Sequence, residues 1–172
     1  MASPAFPNRD LRYIDSLDDL EDAWRVMRNA ERHQLKHPAG DPLHELGRKA
    51  WDLAFAKMCQ LSAERYDPQD DAERDCLVAL AAYEWVLTER NGKRTYARRI
   101  RNSIALHGIK AAIAKAVMRG ARSSGLKTLV EQQKVGFAFE NVILKYESQF
   151  KEIDDRLIDK SIESLKAYYE GG

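Results

Sequence analysis

Apolar residues recur at three- and four-residue spacings along nearly the whole chain, and no segment alternates apolar with polar over the length of a hairpin. Such spacing puts the apolar residues on one face of a helix, because a turn takes 3.6 residues. In "DSLDDLEDAWRVMRNAERHQLKH" the anchors are Leu17, Leu20, Trp24, Met27 and Leu35, with Asp15 or Ser16 placed to cap the first turn. Pro38, Gly40 and Pro42 end that helix. A second is predicted from about Pro42 to Arg65, with a stripe of Leu43, Leu46, Ala50, Leu53 and Leu61 widened by Trp51, Phe55 and Met58. A third is bracketed by Asp67 as cap with Pro68 as first helical residue, and by Asn91-Gly92 as a left-handed stop. Its core face is Cys76, Leu77, Leu80, Ala81 and Leu87.

Two further helices are predicted over Arg94 to His107 and Ile109 to Arg119, with the break at Gly108. After "GARSSG" come a short helix around Leu126 to Gln133 and then "GFAFENVILKY", whose pattern fits a helix or a buried strand. A last helix spans about Asp155 to Tyr169, turning Leu157, Ile158, Ile162, Leu165 and Tyr169 inward. The expected fold class is all-α: a compact helical bundle of about six to eight helices in a single domain, which 172 residues suffice to build. Residues 1–14 read as a tail and 15–172 as the domain, with acidic helices at 15–90, a basic segment at 92–134 and C-terminal helices at 135–170.

Charge changes this picture more than composition does. The formal net charge is only +1, yet residues 1–91 carry −6, residues 92–134 carry +10 and residues 135–172 carry −3. From Arg90 to Val130 there is no Asp or Glu at all. A helix that needs only solubility interleaves both signs and gains i,i+4 pairs from doing so. This segment instead offers Arg94, Arg98, Arg99, Arg101, Asn102, Lys110, Lys115, Arg119, Arg122 and Lys127 as a phosphate-binding surface. Arginine predominates in "GKRTYARRIR", and its planar fork suits phosphate oxygens. On a helical wheel Arg94, Arg98 and Arg101 share one side, with Asn102 at their edge, while Tyr96, Ile100, Ile104 and His107 share the other.

The expected function is therefore non-catalytic binding of a nucleic-acid backbone, DNA or RNA, in an accessory or regulatory role. The helix after Gly108, "IKAAIAKAVMR", has few groups able to read base edges, so a helix-turn-helix reader is disfavoured. The acidic N-terminal helices are expected to face a protein partner or a second copy, or to balance the basic face. A helical adaptor whose basic face docks an acidic partner is the chief alternative.

A third reading rests on Arg/His spacings. "RNAERH" holds Arg28, Asn29 and His33, "RHQLKH" holds Arg32 and His37, and "RNSIALH" holds Arg101, Asn102 and His107. These hexamers and heptamers resemble the R-x4-6-H motif of HEPN ribonucleases, all-α proteins in which that arginine and histidine act on RNA. The resemblance implies catalytic roles for Arg28, His33, Arg101 and His107. His33, His37 and His44, with Asp41 and Glu45, are read as a solvated helix end, with no metal or cofactor expected. Cys59 and Cys76 sit in apolar helical patterns and read as buried thiols. With no secretory leader pattern at "MASPAFPNRD" and no long apolar run, the expectation is a cytoplasmic protein of bacterial style, away from membranes.

Overall fold

The computed structural model describes residues 11–119 and 124–169. Among the described residues there are nine α-helices, two short 3-10 turns and no strand. The protein is all-α, as the periodicity requires. It divides into two compact units, Met1–Arg65 and Tyr66–Gly172.

The first unit is an antiparallel helical hairpin. Helix α1 (Leu20–Gln34) starts at Asp19, whose carboxylate accepts from the backbone N–H groups of Glu21 and Asp22 at 2.8 and 3.0 Å. The cap lies later than Asp15 or Ser16 because Leu11–Ile14, expected to be tail, forms a 3-10 turn that buries Leu11 and Ile14. Helix α2 (Pro42–Glu64) begins as predicted, with Asp41 capping the Leu43 N–H and Pro42 in its first turn. Of the predicted α2 face, Ala50, Phe55 and Met58 are buried, joined by Gly47, Ala54 and Cys59, whereas Leu43, Leu46, Leu53 and Leu61 are only half-buried. Small residues let the helices approach closely: a Cβ on Gly47 would lie 3.0 Å from the Gln34 backbone nitrogen. Leu35, expected as an anchor, is 81% exposed, since α1 has already ended at Gln34.

Helix α3 (Asp71–Asn91) is the axis of the second unit, and α5 (Ile109–Arg119), α6 (Ser124–Glu131) and α7 (Phe139–Lys145) pack along it. Its cap is Asp70 rather than Asp67, which instead turns the chain with φ of 51°. Asp70 accepts from the Glu73 N–H at 2.8 Å while Glu73 reaches back to the Gln69 N–H at 2.9 Å, a reciprocal cap. Gly92 ends the helix in the left-handed region, φ 65°. Ala79, Leu80, Ala82, Trp85 and Val86 give α3 a nearly all-round buried surface, each large side chain stabilising the fold by about 1.5–3 kcal/mol.

"GFAFENVILKY" becomes a 3-10 turn (Val135–Phe137) followed by α7, then α8 (Glu147–Lys151). The last helix, α9 (Arg156–Tyr169), buries Leu157, Ile158, Ser161 and Ser164, whereas Ile162 and Tyr169 are 37% and 61% exposed. Its inner face is thus rotated toward the serines. Cys59 and Cys76 are buried as expected, and burial pushes the Cys76 thiol up to about 12 and Cys59 higher still. No helix is long and apolar enough to cross a membrane among the described residues.

Candidate nucleic-acid interface

The basic segment is arranged differently from the continuous helix that its sequence predicts. Helix α4 runs Arg98–His107, four residues shorter at its start. The preceding loop is held open by α3. Thr88 Oγ1 accepts from the Thr95 N–H at 3.0 Å, and the buried Glu84 carboxylate accepts from the Ala97 N–H at 2.9 Å. Amides that would join a longer helix are satisfied by α3 side chains instead. Arg94 is therefore a loop residue, not part of a three-arginine helix face.

Arg101 points inward. Its Nε and Nη2 donate to the two Glu84 oxygens, each at 2.6 Å, a fork-to-fork pair in which the carboxylate side chain is only 8% exposed. Those hydrogen bonds hold the guanidinium even more firmly protonated than usual, against the opposing effect of burial. The same guanidinium lies 4.5 Å from the Tyr96 ring centroid and 5.6 Å from that of Tyr66. Lys110 is likewise engaged, donating to Asp70 at 2.7 Å and Gln149 at 2.9 Å. Its ammonium is stabilised chiefly by the Asp70 hydrogen bond, which also lowers the Asp70 carboxyl. Carboxylates of α3 and its cap thus neutralise two of the ten polar residues assigned to phosphate. A third, Asp75, takes Lys145 at 2.6 Å and the Tyr146 hydroxyl at 2.8 Å.

What remains is a groove of about 640 Å³ between the end of α3, the loop before α4, α4 itself and α5. Lys93, Arg94, Arg98, Arg99, Lys115 and Arg119 line it, and among the described residues no carboxylate does. All six are exposed. Its floor is apolar and aromatic: Tyr83, Leu87, Ile100, Ala112 and Ala116, with Tyr96 beside them. Gly108, at φ 82°, makes the tight joint that folds α5 back against α4, as the sequence break foretold. Ala97 offers no side-chain cap, and the Arg98 N–H donates to the Tyr96 carbonyl at 2.9 Å.

Five of the ten expected residues, Arg94, Arg98, Arg99, Lys115 and Arg119, converge here. Asn102 is exposed on α4 without lining the groove, and Lys127 lies on α6, 3.8 Å from Glu131. Arg122 is outside the described residues. Lys93 and Tyr96 were missed by the sequence reading. Tyr96, assigned to the apolar face, is 46% exposed because the helix starts two residues after it. The signal was present in "RTYARR", an aromatic flanked closely by arginines.

The residues of the Arg/His spacings are divided between the two units. Arg28 pairs with Glu31 at 3.3 Å and lies 5.6 Å from the Trp24 ring centroid, in the first unit. His33 packs against His37 at 4.8 Å between ring centroids, and burial leads the effects that lower its basicity. In the second unit Arg101 is committed to Glu84, and His107 is exposed rather than on an apolar face. His37 lies 3.7 Å from Asp41, and His44 3.3 Å from the Gln34 amide, but no group of three or more His, Cys, Asp or Glu positioned to hold a metal occurs among the described residues. Compared with protein-family models, curated protein sequences and solved structures, the chain has no significant match.

Proposed function

We propose that this protein binds a nucleic-acid backbone, without chemistry, in the groove formed by the end of α3, the loop 93–97, α4 and α5. The observation that carries the reading is six cationic side chains around one concavity with no carboxylate among its described lining residues. Like charges gathered at this density raise the free energy of the unliganded protein and are relieved by a polyanion, which releases its own counterions on binding. Arg101 and Lys110, expected from sequence to meet phosphate, instead support the fold through Glu84 and Asp70.

Fluorescence anisotropy of labelled oligonucleotides across a salt series tests the reading. With about five phosphates engaged, log affinity for a single strand should fall against log salt with a slope of about −3 to −4. Arg98→Glu with Arg99→Glu should weaken binding by at least roughly tenfold at moderate salt, whereas Lys166→Glu, on α9 away from the groove, should not. The strands should be intact on a gel afterwards. Absence of binding at low salt would overturn the proposal in favour of an acidic protein partner, and cleaved RNA would overturn its non-catalytic character.

A further inference from the structure

We infer that the groove selects unpaired strands over duplex, with Tyr96 as the platform on which one base stacks. This rests on the polyanion reading above and adds the form of nucleic acid to it. Cations alone would serve a duplex as well as a single strand, because both present phosphates outward. The floor of this groove serves only one of them. Tyr83, Leu87, Ile100, Ala112 and Ala116 offer apolar and aromatic surface within a ring of cations. Phosphate gains nothing from such surface, whereas the face of an unpaired base does. The duplex keeps its base faces stacked on one another. At about 640 Å³ the concavity is of the size that takes a small ligand, suited to a nucleotide or two of a splayed strand.

Tyr96 is positioned by its neighbours. The residue is 46% exposed, yet it is not a loose surface side chain. The Arg101 guanidinium sits 4.5 Å from its centroid and the Arg94 guanidinium 5.8 Å. Arg101 is itself fixed by two 2.6 Å hydrogen bonds to the buried Glu84, which also holds the Ala97 N–H adjacent to Tyr96. Backbone and ring are therefore set before a ligand arrives, and little ordering is left for binding to overcome. Arg101 is a positioning residue in this scheme: it acts through Tyr96 and touches no phosphate.

The test compares a fluorescein-labelled oligo-dT 12-mer, a duplex of matched length, an abasic strand of the same length and heparin, on the full chain. The unmodified protein should hold the dT strand more tightly than the abasic strand by about 5- to 150-fold, the span of one stacked base. It should also prefer the dT strand to the duplex. Tyr96→Leu should lose that factor, bringing the dT and abasic affinities together, and Tyr96→Phe should retain it. Equal affinity for dT and abasic strands would overturn the inference and leave backbone binding standing. So would a Tyr96→Leu protein with undiminished preference for dT. Should neither heparin nor any strand bind, the polyanion reading itself fails, and the inference with it. The abasic comparison uses the unmodified protein, so it decides the matter even if Tyr96→Leu does not fold.

Discussion

Arg101 shows how one residue's role is reassigned by its neighbours. By sequence it belongs with Arg94 and Arg98 as a phosphate ligand; in the fold it closes a pair with a carboxylate that α3 has already buried. A buried carboxylate without a partner is costly, so the pair is structural first. Arg101→Met should therefore destabilise the protein by roughly 2–3 kcal/mol, below the 3–5 of fully enclosed pairs because the arginine side chain is 31% exposed. Equilibrium urea unfolding reads this directly. Glu84→Gln combined with Arg101→Met should recover much of the loss, since the orphaned charge is gone and the amide oxygen still accepts from the Ala97 N–H. A double variant as unstable as Arg101→Met alone would show that packing, not charge, is what Arg101 supplies.

At the scale of elements, helix boundaries follow what side chains do to backbone amides. Helix α4 starts late because Glu84 and Thr88 bind the amides ahead of it, and α3 starts at Asp70 because Glu73 completes the reciprocal cap. The α1–α2 hairpin depends on a different element-level feature, the stripe of Gly47, Ala50 and Ala54. Ala is favoured over Gly inside a helix by about 1 kcal/mol, so Gly47→Ala would ordinarily stabilise. Here the new methyl meets backbone atoms of Gln34 at 3.0 and 3.1 Å, which cannot swing aside as a side-chain tip can. The substitution should instead lower stability by about 1–2 kcal/mol, as overpacking does. Thermal unfolding followed by circular dichroism measures it. An unchanged or higher Tm would mean that the helices part at little cost.

Charge is distributed unevenly along the chain, and the second unit evens it out only partly among its own helices. Within the second unit, Asp70, Asp75 and Glu84 each take a cation from a later helix, yet the groove keeps six cations with no lining carboxylate among the described residues. Two ion pairs, Asp70–Lys110 and Asp154–Arg156, bear on the response to acid. Lys110 lowers the Asp70 carboxyl, and Arg156, gripping Asp154 at 2.7 and 2.9 Å, lowers that carboxyl to about 2. Groups lowered in the folded state contribute stability that is present above the unfolded value of about 3.9 and lost as pH falls through the folded one. Glu140 acts in the opposite direction, because burial raises its carboxyl. The two pairs should therefore make the Tm drop between about pH 4 and 2, with Asp70→Asn making the drop shallower. A Tm that stays flat between about pH 4 and 2 would mean that these pairs add nothing to stability.

Much of this protein was legible in the chain before any tertiary contact was known. Helical periodicity, proline and glycine punctuation and acidic first turns are local properties, and they determined the all-α class, the α2 start at Asp41-Pro42, the Gly92 stop and the Gly108 joint. The concentration of positive charge at 92–134 is equally a property of sequence, and it located the candidate site to within one segment. The tertiary structure alone decided which cations face the groove and which turn inward. That choice is made by carboxylates distant in sequence, Glu84 for Arg101 and Asp70, forty positions before Lys110. It also moved Tyr96 from the predicted apolar face to an exposed position with the Arg101 guanidinium 4.5 Å from its ring centroid. A helical wheel assumes that the helix exists; whether it begins at residue 94 or 98 depends on which amides a neighbouring helix captures, and that is known only once the helices are packed.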